Sequence, residues 1–337
     1  MLLFFCVFII IQVKKKNKEL AEPDNTTLTQ QTVTTGTESY TDIYETEEDV
    51  NLVFYNGNAY QSKDNIDTIL VLGIDSEGPR QAVGDLNNNE QQADSLMLFV
   101  IDHDAQEYSI LQIDRGTMAR MTVLGSLGDF LRYEEAQICL AHTYGDGMLQ
   151  SCRLTADAVS YLLQVTTIDH YMSLSMDCIE ILNDQVGGVT VTIPADMTEV
   201  DPDWEEGAEI TLQGDQAELF VRSRQSLSDD SNTFRMQRQR LFMQAWQEEA
   251  EERMAASDTF GLQLISVLSD YMVSDMTANE LSELSTTLSE YTPREIYTLD
   301  GETTMGEQYV EFYPSEESIR TTILELYYDE YELPSEG

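Results

Sequence analysis

The sequence predicts an α/β sandwich built on a mixed sheet, followed by a mostly helical C-terminal extension. Three observations carry this. Runs at 68–74 (TILVLGI), 96–101 (LMLFVI) and 108–113 (YSILQI) are continuously apolar and β-branched, as strands buried on both faces are. Between residues 155 and 193, helical spacing alternates with further short apolar runs. Beyond residue 234 the pattern is helical nearly to the end. A chain of 337 residues with 42% apolar composition can bury one sizeable core.

Residues 2–13 (LLFFCVFIIIQV) form an apolar run followed by Lys14, Lys15 and Lys16. A full membrane helix needs roughly 20 such residues. The run therefore reads as a short or truncated N-terminal anchor within 1–20, with the apolar core of a secretion signal as the alternative; no alanine-type cleavage site or lipid-attachment motif at Cys6 is visible. Residues 21–61, rich in threonine and acid, read as a disordered spacer, because they bury too little to offset chain entropy. The body is expected at 62–250 and the extension, packed on it, at 251–337.

Within the body, the first strand ends in Asp75-Ser76 and is followed by a polar loop, 77–92. Asp94-Ser95 stands at the mouth of the second strand, and the third runs into Asp114-Arg115-Gly116-Thr117. Then come a helix at 155–164, a strand at 169–174, a helix at 176–185 stopped by Gly187-Gly188, a strand at 189–193 and a short helix from 215. Helices at 235–252, 260–269, 278–288 and 315–328 complete the pattern, with Ser274 or Thr277 and Ser315 as N-caps.

Charge is the second informative property. There are 62 acidic residues against 18 basic ones, and all lysines lie within the first 63 residues. Of the arginines, Arg222, Arg224, Arg235, Arg238 and Arg240 fall within 219–243. A net charge of −44 speaks against nucleic acid and against broad adsorption to anionic lipid. Arginine's planar fork grips phosphate oxygens in pairs, so the cluster reads as a phosphate site. Salt bridging to carboxylates such as Asp229 and Asp230 is the competing account, although exposed pairs stabilise little. On an extended segment Arg222 and Arg224 would share a face; on a helix Arg235 and Gln239 would. Arg235 would sit in a first helical turn, where an anion completes the site.

Asp75 and Asp94 are the candidate acids. If their strands are antiparallel neighbours, both carboxylates reach one sheet end, where with arginines they could hold Mg2+ (or Mn2+) against a pyrophosphate. The alternative is a pair of turn-forming aspartates. Cys139 and Cys152 enclose a loop short enough for a disulfide, or are two buried thiols; Cys6 and Cys178 look unpaired. His103, His142 and His170 are scattered and show no metal-ligand spacing.

The ordered set GID (73–75), ADSLML (93–98), QIDRGT (112–117), AHTYGDG (141–147), VGGVTV (186–191), FVRSR (220–224) and RMQRQR (235–240) resembles the LytR-CpsA-Psr family over about 67–250. The resemblance implies an α/β/α sandwich with a tunnel for a polyprenyl tail, and a membrane-anchored, extracytoplasmic bacterial enzyme. It would transfer a glycopolymer, such as teichoic acid or capsule, from a polyprenyl-pyrophosphate carrier to peptidoglycan. Residue by residue, Asp75 and Asp94 match metal-associated carboxylates, and Arg115, Arg222, Arg224, Arg235 and Gln239 match head-group ligands. Arg238 is grouped with them, and Asp75, Asp94 and Arg115 are the expected catalytic residues. Asp114 and Gly116 replace the family's usual proline and aspartate, Gln137 a common lysine and Phe234 a common glycine. A hydrolase using the same site and a non-catalytic envelope lipid- or wall-binding protein are the other expectations. The last eighty or so residues carry no legible chemistry.

Overall fold

The computed structural model describes residues 52–333, apart from 166, 224–231, 258 and 307–308. The expected anchor, residues 21–51 of the expected spacer and Arg224 lie outside the described residues, whereas residues 52–61, expected as disordered spacer, form paired strands instead.

The described chain opens on two short paired strands, β1 (Leu52–Tyr55) and β2 (Asn58–Ser62). Next come β3 (Ile66–Ile74), β4 (Ala93–Asp102) and β5 (Glu107–Ile113), then a hairpin of β6 (Met118–Leu124) and β7 (Phe130–Gln137). A 3-10 turn (Ile138–Thr143) leads into α1 (Leu149–Leu163), β8 (His170–Ser175), α2 (Cys178–Val186), β9 (Val189–Thr192) and β10 (Glu209–Leu212). The helices α3 (Gln216–Arg222), α4 (Asn232–Ala256) and α5 (Phe260–Leu268) follow. The C-terminal region runs β11 (Met272–Ser274), α6 (Ala278–Glu290), β12 (Thr292–Thr298), β13 (Gly301–Met305), β14 (Val310–Pro314), α7 (Glu316–Tyr327) and β15 (Tyr328–Tyr331).

The central sheet has the order β11-β8-β3-β4-β5-β12. It is mixed: β3–β4, β4–β5 and β8–β11 run antiparallel, β3–β8 and β5–β12 parallel. Both faces are covered, which explains the unbroken apolar runs of β3 and β4. Ile69, Val71, Met97 and Phe99 face one way, onto α2, α4, α5 and α6. Leu70, Leu72, Leu98 and Val100 face the other way, onto α1, β6 and α7. The first layer is filled by Phe99, Trp204, Phe220, Phe242 and Trp246, all fully buried. Trp246 Nε1 donates to the Leu182 carbonyl at 2.8 Å, tying α4 to α2.

The C-terminal region carries the predicted helices and adds strands that the sequence reading did not foresee. β12 is the edge strand of the central sheet. The β13–β14 hairpin docks beside the turn that follows β5, where Phe312 N–H donates to the Gly116 carbonyl at 2.9 Å. Thr277 is the N-cap of α6: its side chain accepts from Glu280 N–H while Glu280 accepts from Thr277 N–H at 2.6 Å. Ser315 caps α7. Thr277→Ala is expected to lower stability by about 1 kcal/mol, read as a shift in the denaturant midpoint at unchanged slope.

Candidate functional site

Asp75 and Asp94 do meet at one sheet end, because β3 and β4 are antiparallel. Their pairing slips by one residue there: Gly73 lies opposite Ser95 but Ile74 opposite Ala93, which leaves Asp94 as the extra residue of a bulge. A bulge re-aims a side chain out of the strand's alternation, and here it brings Asp94 to the arginines. Gly73 leaves little room at this crossing: an added Cβ would lie 3.1 Å from both Met176 Sδ and Ser95 Cβ, and both neighbours would have to give by a few tenths of an ångström.

Three arginines converge on the two carboxylates. Arg115 Nε lies 2.9 Å from Asp94 Oδ1, a close ion pair without hydrogen-bond alignment. Arg235 Nη1 lies 3.7 Å from Asp94 Oδ2. Arg222 Nη2 donates to Asp75 Oδ1 at 2.5 Å while its Nη1 donates to Glu218 Oε1 at 2.5 Å. The Asp94 pairs are nearly enclosed, with side chains 11% (Asp94), 10% (Arg115) and 6% (Arg235) exposed, whereas Asp75 is 47% exposed. Asp94 is the enclosed anchor of the cation set and Asp75 its open edge.

The backbone holds each participant. Arg115 sits in a turn in which Asp114 Oδ1 accepts Gly116 N–H at 2.7 Å and the Asp114 carbonyl accepts Thr117 N–H at 3.0 Å. Asp114 thus fixes by hydrogen bonding a turn that a proline would fix by its ring. The family's lysine position is equally explained: Gln137 Nε2 donates to the Val310 carbonyl at 2.7 Å, securing the β13–β14 hairpin. Gln92, which the sequence reading passed over, joins both sides of the site. Its carbonyl accepts Asp75 N–H at 2.9 Å and its side-chain oxygen accepts from Arg115 Nη2.

One expectation changes, and a second residue gains a structural role. Arg222 is the last residue of a helix, α3, rather than part of an extended segment, supported by the Glu218–Arg222 pair one turn apart. Arg238, grouped with the head-group ligands, turns to the backbone: its Nε donates to the Phe220 carbonyl at 2.6 Å and its Nη2 to the Ser223 carbonyl. It satisfies the C-terminal carbonyls of α3 and so positions Arg222. Arg235 and Gln239 do share the buried face of α4.

A second polar network braces the loop behind Asp75. Arg80 bonds Ser76 Oγ (2.9 Å), Gln91 Oε1 (3.0 Å) and the Gly147 carbonyl (2.6 Å). His142, wholly buried, donates Nδ1–H to the Gln91 carbonyl at 2.8 Å, and its Nε2 lies 3.9 Å from Cys152 Sγ. Cys139 and Cys152 are separate buried thiols, not a disulfide, and burial pushes each up to about 11. Burial holds His142 at about 3, far below its ordinary value. Its depressed value means that the unfolded chain takes up a proton below about pH 6.5 while the folded chain does not. Stability is therefore expected to fall as pH drops from about 6.5 towards 3, with a contribution approaching 1.4 kcal/mol per pH unit from this residue. His142→Gln should flatten the pH 6.5–5 limb of the stability curve, whatever its effect on absolute stability.

Among the described residues no cluster of three or more His, Cys, Asp or Glu side chains gathers as a metal cage. Two carboxylates at adjoining strand ends, with arginines beside them, nevertheless fit a hard cation of the kind that takes one or two carboxylates and completes its shell with substrate phosphates and water.

The site and fold together define an α/β sandwich whose sheet end pairs two aspartates with phosphate-suited arginines. The LytR_cpsA_psr family model matches residues 26–325, well beyond the motif-bearing segment, and the chain belongs to that family. One curated relative, the polyisoprenyl-teichoic acid–peptidoglycan teichoic acid transferase TagU of Halalkalibacterium halodurans, is 28% identical over 179 residues, which are 53% of this chain and 51% of TagU. The chain thus spans about half the length of that relative. Among solved structures, a Streptococcus agalactiae protein superposes with a TM-score of 0.60 at 19% identity, covering 79% of this chain and 90% of that one. TagT of B. subtilis gives 0.55 at 18% identity, covering 78% and 90%. These likenesses establish the fold.

Proposed function

We propose that the chain transfers a glycopolymer (teichoic acid, capsular or another wall polysaccharide) from a polyprenyl-pyrophosphate carrier to peptidoglycan. The observation that carries this reading is the convergence of Asp75, Asp94, Arg115, Arg222 and Arg235 at one sheet end, in a chain of this family. It is supported by the relative TagU being a teichoic acid transferase and by TagT having been solved bound to LI-WTA.

In this reading the pyrophosphate oxygens take up donors from Arg115, Arg222 and Arg235, with the buried Gln239 beside them. An acceptor sugar hydroxyl attacks the phosphorus next to the glycopolymer. A new P–O bond forms, the bridging P–O–P bond breaks, and polyprenyl phosphate leaves. Asp75, half-exposed, would receive the hydroxyl proton, and enclosed Asp94 would hold Arg115 and Arg235 towards the charge that develops. Held by Asp75 and Asp94, Mg2+ (or Mn2+) would neutralise charge on the transferring phosphoryl group. Remote donor sugars would contribute orientation rather than chemistry.

The reading places the body outside the cell, held to the bacterial membrane by the segment at 1–20. No helix among the described residues is long and apolar enough to cross a membrane. Because Asp75 is open to solvent, water could replace the acceptor, giving hydrolysis. Product analysis with and without peptidoglycan fragments separates the two: a sugar–peptidoglycan adduct supports transfer, and free sugar phosphate in the presence of competent acceptor supports hydrolysis. Donor binding that survives Asp94→Ala, with no turnover under any acceptor, would instead favour a non-catalytic envelope protein.

A further inference from the structure

Among the described arginines of the cluster, Arg240 has no role in the site so far. Arg240, half-buried on α4, donates from Nη1 to Gln112 Oε1 at 2.5 Å. Gln112 Nε2 in turn reaches Gln239 Oε1 at 3.3 Å, and both amides are 1% exposed. Gln112 stands opposite Met97 on β4, three residues along from Asp94. Arg240 lies five residues beyond Arg235, about 7.5 Å further along the helix. A polar seam therefore runs under α4, away from Asp94, through a layer that is otherwise apolar.

The other arginines nearby are answered differently. Arg115, Arg222 and Arg235 face carboxylates, and Arg238 and Arg253 end on backbone carbonyls. Among the described residues no carboxylate lies within ion-pair distance of Arg240, in a chain with 62 acidic residues. Its fork meets one neutral amide, whose orientation Gln239 fixes. Burial lowers the Arg240 pKa, and no neighbouring carboxylate opposes that shift. A half-buried cation with no counter-charge in reach is poised to take an anion, because partial burial strengthens a charge-assisted bond.

We propose that Arg240, oriented by Gln112, is a second anion-binding residue of the site and takes a phosphate oxygen of the donor on the far side of Gln239 from Asp94. The proposal rests on the polyprenyl-pyrophosphate reading above. It is tested by titrating the full-length chain, in detergent, with inorganic pyrophosphate, beside Arg240→Gln, Arg240→Lys, Gln112→Leu and Arg115→Ala, with melting midpoints recorded for each. Arg240→Gln is expected to weaken pyrophosphate roughly ten-fold or more at an unchanged midpoint, with Arg240→Lys recovering part of the affinity. Loss of affinity in Arg115→Ala with none in Arg240→Gln overturns the proposal alone. Midpoint shifts in Arg240→Gln and Gln112→Leu without a change in affinity also overturn it, leaving a packing role. Unchanged affinity in both arginine variants overturns the donor reading, and this proposal with it.

Discussion

Asp94→Ala is expected to lower donor turnover by roughly 10²–10⁴-fold and to destabilise the protein by roughly 3–5 kcal/mol. The two effects have one cause. Asp94 is enclosed between Arg115 and Arg235, and its removal leaves two nearly buried guanidinium groups facing each other. Asp94→Asn separates the consequences: it keeps the shape and one acceptor oxygen but removes the charge. Its turnover should fall almost as far as that of the alanine variant. Both variants are read by the release of polyprenyl phosphate and by equilibrium unfolding. A fold that is indifferent to Asp94→Ala would mean that the buried pairs do not order this sheet end.

Arg115→Ala is expected to cost about 10²–10³-fold in turnover and to weaken pyrophosphate binding in parallel. Arg115→Lys should recover little. Lysine brings a point charge but not the planar fork, which here reaches Asp94 through Nε and Gln92 through Nη2. The comparison is informative because the surrounding turn does not depend on the side chain. Asp114 and Phe312 hold the backbone of residues 114–117 by their own bonds. Melting midpoints for both variants should therefore stay nearer the parent than that of Asp94→Ala.

The elements that could be read from the sequence are those whose burial is written locally. β3, β4 and β5 are covered on both faces, so their runs are continuously apolar. The antiparallel meeting of β3 and β4, and with it the approach of Asp75 to Asp94, followed from two strand ends. β12 could not be read in this way. It is a largely exposed edge strand containing Pro293, and its place in the sheet comes from pairing with β5, nearly two hundred residues earlier. The β6–β7 hairpin escaped for a related reason: β7 is exposed along most of its length, and only Ala119, Met121 and Val123 of β6 show the two-residue period.

Within the site, residue type was legible but partnership was not. Arg235 and Arg238 look alike in the sequence. One reaches Asp94 and the other the end of α3, because α3 ends where α4 passes. Arg80 carried no signal in its polar loop, since two of its partners, Gly147 and Ser173, lie 67 and 93 residues away. The replacement at Asp114 is explained by its own turn, whereas those at Gly116 and Gln137 gained their meaning only from the C-terminal hairpin. That hairpin belongs to the region in which the sequence showed no chemistry.

The central claim is that this sheet end moves a phosphoryl-linked glycan from lipid to wall. The most direct measurement incubates the full-length chain, in detergent, with a glycan-labelled polyprenyl-pyrophosphate donor, Mg2+ and peptidoglycan, then asks by mass spectrometry whether label becomes phosphodiester-linked to the wall. The account predicts a labelled adduct with the intact chain and its loss in Asp94→Asn and Arg115→Ala. Adduct formation that persists undiminished in both variants would contradict it.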